Sequence, residues 1–254
     1  MKRTILILAV LLLGYAPCGI CEEKMLFFTG GISPPLVFEK NGRIVGMDVD
    51  TVSEFCKYQQ ITPEFKAYPL KRALEMMKTP DAQGIFTIFR TPEREEFLQF
   101  PETPINTVTT VIIGLKGSNV KIGKMDDLKN IKLGVIHGHK YGPLFDNYQG
   151  LNKYPVRDKS VLIRLLAAGD RVDAIINSEA VFEYECMEFG YDINRFEKLY
   201  TVAENPVYIG FSKKALGDER AAELAEKFSE FMKEIAGNGK LKNMREKYEG
   251  QPSY

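Results

Sequence analysis

Apolar runs of strand length alternate with stretches of helical periodicity along most of this chain. A chain patterned in this way folds as layers of helix on a largely parallel sheet. The first series has strands at 25–28, 61–68 and 84–89. Between them, Val49, Val52, Phe55 and Cys56 recur at helical spacing, and residues 70–77 form a second helix. Residues 107–115 then form an extended, β-branched run that closes on the turn signal Lys116-Gly117-Ser118. A second series starts afresh: a strand at 131–136, a loop at 137–142, a helix at 161–168, a strand at 172–176 and a helix from about 179. Two further strand candidates lie at 200–202 and 207–211. The tail carries helices at 219–235, with Leu224, Phe228, Phe231, Met232 and Ile235 on one face, and at 241–248. One interruption near residue 110 in a chain of 254 residues predicts two α/β lobes. No internal repeat, low-complexity tract or long linker breaks the pattern.

The N-terminus reads as an address. Lys2 and Arg3 precede an apolar stretch from Thr4 to Leu13, roughly ten residues, too short for a bilayer span of about 20. Residues 1–21 are read as a signal peptide cleaved after Cys21, with a buried N-terminal helix as the alternative. The residues before Cys18 and Cys21 fit a lipoprotein signal poorly. The chain has 34 basic and 34 acidic residues. Losing Lys2 and Arg3 leaves 32 basic against 34 acidic, so no basic excess points to nucleic acid. The two cysteines beyond the leader, Cys56 and Cys186, lie far apart in helix-like stretches and read as buried thiols.

Six phrases follow one another in a fixed order: GISPPLVFEKNGRIVGMDVDTV (31–52), YPLKRAL (68–74), GIFTIFRTPEREEFLQFPETPI (84–105), DDLKNIKLGVIHGHKYG (126–142), AGDRVDAIINSEA (168–180) and PVYIGFSKKAL (206–216). Together they resemble the extracellular solute-binding proteins of family 3, the polar amino-acid-binding proteins of ABC transporters. The likeness covers almost all of the chain after the leader. It implies a type II periplasmic-binding-protein fold, in which two α/β lobes are joined by two crossover strands that act as a hinge around a ligand cleft. Lobe 1 would be discontinuous, 22–108 with 206–254, and lobe 2 would span 109–205. The resemblance further implies a periplasmic monomer, without cofactor, that captures a small carboxylate or amino acid and delivers it to a membrane permease.

The same resemblance assigns roles to residues. Arg94, in Thr91-Pro92-Glu93-Arg94, matches the arginine that grips a ligand carboxylate, a task suited to a guanidinium fork. The bland alternative is an arginine on a solvated helix start, paired with Glu93, Glu95 or Glu96. Arg72 and Arg90 would add positive charge. Thr87 falls where a hydroxyl or backbone group meets the ligand, or is simply a β-branched strand residue. Tyr68 would stack on the ligand or cap the core. In the second lobe His139, Lys140 and Tyr141 lie on a glycine-bearing loop that opens a helix, a geometry suited to an anion. His137 and His139 are the chain's two histidines, and with no third ligand nearby they make a weak metal site. Gly46-Met47-Asp48 reads as a packed turn into the first helix.

Three positions depart from the family pattern. Ser178 stands where an acidic residue commonly holds an α-amino group, with Glu179 beside it. Ser33 replaces a stacking aromatic, and Gln83 an acid. Asn177 or Ser178 alternatively serves as a helix N-cap. A carboxylate is therefore better supported than an α-amino acid, and a non-amino organic acid stays open. Two other functions compete with transport: a sensory protein reporting to a signalling partner, and a cyclic-acid dehydratase-like enzyme. The enzyme would have only Glu179, His137 and His139 as acid–base candidates.

Overall fold

The computed structural model describes residues 23–139, 141–157 and 159–248. The signal-peptide reading and Lys140 fall outside these residues. The chain enters through β1 (Glu23–Thr29), then a short hairpin of β2 (Phe38–Lys40) and β3 (Arg43–Val45), then α1 (Met47–Tyr58). It continues through β4 (Ile61–Ala67), α2 (Leu70–Met76), β5 (Gly84–Ile88), α3 (Pro92–Glu95) and β6 (Leu98–Gln99). The crossover strand β7 (Asn106–Leu115) leads to β8 (Lys132–Ile136), α4 (Pro143–Asp146), β9 (Asn152–Val156), α5 (Lys159–Ala168), β10 (Ala174–Ser178) and α6 (Glu179–Glu188). The chain returns along β11 (Phe196–Ser212) and ends in α7 (Lys213–Leu216), α8 (Asp218–Gly237) and α9 (Lys240–Glu246).

The main sheet has the order β4-β1-β5-β11-β7-β10-β8-β9. β1 pairs in parallel with β4 and β5, and β8 in parallel with β9 and β10. The sheet reverses direction at β11 and β7, which pair antiparallel with each other from Phe196↔Leu115 to Val207↔Asn106. The two strand candidates at 200–202 and 207–211 are thus parts of one continuous strand of 17 residues. Pro206 lies within it, opposite Thr107, at a place where a central strand rarely carries proline. The strand expected at 172–176 starts at Ala174 and runs on to Ser178, so Asn177 and Ser178 end a strand and precede α6.

The core is divided as the sheet is. On one side of the crossover, two apolar clusters draw on α1, α2, β1, β5 and α8. On the other, two clusters draw on β7, β8, α5, β10 and α6. The molecule is therefore two-lobed. Cys56 is buried in the first lobe and Cys186 in the second, and burial pushes both thiols up to about 12.

In the first lobe α8 presents the apolar face read from the sequence. Its Phe228 ring lies edge-on 5.0 Å from Phe55 of α1, and the Phe231 and Phe211 rings stand 5.6 and 6.1 Å from the same ring. Phe55 is fully buried. Phe55→Ala should therefore cost about 3–5 kcal/mol, read as a lower urea midpoint of the first-lobe transition with an unchanged slope.

Candidate functional site

Parallel strands bring their carboxyl ends to one edge, and in open α/β sheets that edge receives ligands. In the first lobe β4, β1 and β5 end side by side, with Thr29 opposite both Ala67 and Phe86. Tyr68 follows β4, and its backbone N–H donates to Thr29 O at 3.2 Å. Its ring meets Phe28 edge-on at 5.1 Å, and the Arg72 guanidinium lies 4.9 Å from the ring centroid. Tyr68 thus covers the core on one side and carries a cation on the other. The guanidinium remains exposed.

Thr87, at the end of β5, has φ +59°, a left-handed conformation that a β-branched residue adopts only when its surroundings hold it there. The holding group is Asp48. The Thr87 hydroxyl donates to Asp48 Oδ2 at 2.6 Å, and the Asn106 amide, at the start of β7, donates to Oδ1 at 3.2 Å. Asp48 is buried in the first turn of α1, behind a tight turn at Gly46. Gly46 has φ +137°, and a Cβ there would stand 2.3 Å from Leu36 O, so only glycine fits. The turn read from the sequence is present, but its aspartate does more than pack. It joins α1, β5 and the crossover strand. No local pattern announces that role, because the partners lie 39 and 58 residues away.

Thr91 caps α3, accepting a bond from Arg94 N at 3.4 Å, so the helix starts with Arg94 in its first turn. The Arg94 side chain turns back, and Nη1 donates to Phe89 O at 2.6 Å. It is half-buried, and burial lowers its pKa. Among the described residues it forms no ion pair with Glu93, Glu95 or Glu96. Glu95 pairs instead with Arg90, whose charge is thereby matched.

In the second lobe, Tyr141 lies against the crossover. Thr110 Oγ1 donates to Tyr141 O at 3.3 Å. The Tyr141 hydroxyl accepts from Ile136 N at 2.8 Å, and its ring packs edge-on to His139 at 4.7 Å and Phe145 at 5.4 Å. Tyr141 is buried, so it shapes the loop from inside, whereas His139 is exposed. Asn177 and Ser178 end β10. Asn177 Nδ2 donates to buried Glu185 at 3.1 Å, and Asn177 Oδ1 accepts from Ser178 N at 2.8 Å. Ser178 makes no side-chain cap on α6. Its side lines a cavity of about 320 Å³ between the lobes, together with Met47, Thr107, Thr109, Glu179 and Arg245. The Glu179 carboxylate is held by Lys198 at 2.6 Å. Among the described residues no three His, Cys, Asp or Glu side chains gather as a metal site.

The strand ends also carry exposed large apolar side chains. The strand expected at 84–89 ends at Ile88, so Phe89 lies beyond it and is 41% exposed. Leu70 and Ile32, after β4 and β1, are 37% and 50% exposed.

Two lobes, two paired crossover strands and a polar strand-end edge with a half-buried arginine define a solute-binding protein. A model of the bacterial extracellular solute-binding proteins, family 3, matches residues 27–251, and the chain belongs to that family. It is similar to the "Probable amino-acid-binding protein YxeM" of Bacillus subtilis (strain 168), 24% identical over 97% of this chain and 94% of that one. It is also similar to the "Arginine-binding extracellular protein ArtP" of the same organism, 23% identical over 98% of both chains. Among solved structures, the open form of substrate-binding domain 2 of Lactococcus lactis GlnP superposes with a TM-score of 0.70. It is 17% identical and covers 91% of this chain and 97% of its own, which supports the fold.

Burial pushes the Asp48 carboxyl up to about 6, against the hydrogen bonds from Thr87 and Asn106 and the charge of Arg245. The folded value lies above the unfolded one, near 3.8. Between these values the native state binds more protons, so this group's contribution to stability falls as pH rises through the window. The full difference is about 3 kcal/mol. Measured by urea unfolding, wild type should gain about 2 kcal/mol relative to Asp48→Asn between pH 7 and pH 4. A difference that does not vary with pH would contradict a raised Asp48.

Proposed function

We propose that the chain is the exported receptor of an ABC transporter, a monomer that captures an amino acid between lobe 1 (22–108 with 206–254) and lobe 2 (109–205) and delivers it to a membrane permease. Arg94 receives the carboxylate. Tyr68, Thr87 and Arg72 complete the first wall, while His139, Lys140, the backbone around Tyr141 and Ser178 meet the ligand from the other lobe. Arg90 acts at a distance, through its pair with Glu95.

The observation that carries this reading is the state of Arg94. Its guanidinium is half-buried at the strand-end edge and tethered to one carbonyl, and although Glu93 lies near enough to act on its charge, it forms no ion pair among the described residues. A partly desolvated cation of this kind favours an incoming anion, and its planar fork suits a carboxylate. The names of the two Bacillus subtilis relatives add the amino group. The leader at 1–21 supports export. The ligand undergoes no reaction, because the lobes need only close on it.

A dye-based thermal-shift screen of the chain from Glu22 onward tests the reading. The chain has no tryptophan, which makes intrinsic fluorescence a poor alternative. The panel holds the twenty amino acids beside dicarboxylates, keto acids and aromatic acids. At a concentration about 100 times Kd, binding should add about 2.7 kcal/mol and raise Tm by about 5–10 °C. Arg94→Ala should abolish the shift while leaving the ligand-free Tm within a few degrees. A shift of full size in that variant would remove Arg94 from the site, and shifts confined to acids without an amino group would remove the amino acid.

A further inference from the structure

Away from the crossover, the two lobes meet through aromatic rings. Phe38 opens the short hairpin of β2 and β3 in the first lobe, and Tyr184 lies in the second turn of α6 in the second. Their ring centroids are 5.9 Å apart. Phe38 is 7% exposed and Tyr184 3%, yet neither belongs to any of the apolar clusters that form the two cores. Their neighbours in the chain do: Leu36 and Val37 pack into the first-lobe core, Phe182 and Cys186 into the second. The burial of these two rings therefore depends on the junction between the lobes.

Each ring is backed by its own lobe. Tyr248 stands edge-on to Phe38 at 6.2 Å, and its hydroxyl is hydrogen-bonded to Asp50 of α1. Tyr184 is followed by Glu185, which accepts from the Asn177 amide at the end of β10. The pair sits on the cleft side of the molecule. The cavity of about 320 Å³ lies between the starts of α1 and α6, with Met47 on one wall and Ser178 and Glu179 on the other. A second cavity, of about 550 Å³, lies beside Tyr184, walled by Met47 and Tyr248 from the first lobe and by Met187 and Tyr191 from the second. With a void of this size next to it, the ring pair is a discrete contact, and breaking it opens neither core.

Lobes that close interconvert between arrangements, and a contact made in one arrangement shifts the population toward it. Parting the lobes at this flank would put two aromatic rings into water. Resting on the reading of the chain as a receptor that closes on its ligand, we propose that Phe38 and Tyr184 form a latch: they favour the arrangement in which the lobes are close, and so raise affinity for a ligand in the cleft without touching it.

Pulsed dipolar spectroscopy between spin labels at Lys71→Cys and Leu144→Cys, one exposed site in each lobe, tests this with the latch intact, in Phe38→Ala and in Tyr184→Ala. Without amino acids, both variants should show the distance distribution moved to longer values. The double variant should move it no further than the single ones, because each removes the same contact. With an equimolar mixture of the twenty amino acids, the concentration that brings half the population to short distances should rise about tenfold in each variant. Distributions that stay in place in both variants, or move to shorter values, would overturn the latch; a urea midpoint lowered at the same time would make the rings core residues of their own lobes. A distribution that the mixture leaves in place when the latch is intact would overturn the receptor reading, and the comparison without amino acids would still decide the latch.

Discussion

The antiparallel ladder between β7 and β11 is the constraint on which the rest of the molecule depends. The two strands run side by side from one lobe into the other, and the apolar clusters on either side of them are separate. Each lobe therefore keeps its own packing while the ladder sets how the strand-end edges face each other. Rotation between lobes needs only modest dihedral changes in a few residues of two adjacent strands, the usual structural basis of hinge closure. The irregularities in the pairing, near Leu199 and Val202, and the proline at 206 all lie on β11, the longer strand.

Both edges are held from beneath by a buried carboxylate. In the first lobe Asp48 fixes Thr87 and Asn106. In the second, Glu185 fixes Asn177, whose own oxygen holds Ser178 N. Buried and hydrogen-bonded, these groups keep polar strand ends in single conformations before a ligand arrives, which lowers the ordering cost of binding. Asp48 also reaches the first residue of β7. The same carboxylate thus touches the end of β5 and the start of the crossover strand β7, and a change of its protonation state is felt at both.

Much of this architecture is legible in the sequence because it is local. Period-2 and period-3.6 apolar patterns locate β1, α1, β5, β8, α5 and α8 within a few residues, and the break near 110 marks the crossover. The return strand is harder to read. The polar stretch Ala203-Glu204-Asn205-Pro206 splits its pattern in two, and continuity comes from pairing with β7, which is non-local. The short hairpin of β2 and β3 has too few residues to show a period. At the site, Arg94 can be picked out by its motif, but the direction of its side chain depends on a carbonyl five residues away. Tyr141 looks like a ligand donor in the sequence. That its hydroxyl accepts from Ile136 N is a fact of loop geometry that no local pattern shows. Phe89 carries the alternation of β5 one step past the strand's end, where the face it would occupy no longer exists.

The central claim is that the lobes close on the ligand about the β7–β11 ladder. Its most direct test is the distance between spin labels at Lys71→Cys on α2 and Leu144→Cys on α4, both exposed, in a chain whose native Cys56 and Cys186 are buried. Pulsed dipolar spectroscopy should show the distance distribution moving to shorter values when the amino acid that stabilises the chain most is added to saturation. A distribution unchanged at saturation, with binding confirmed in the same sample, would contradict the account.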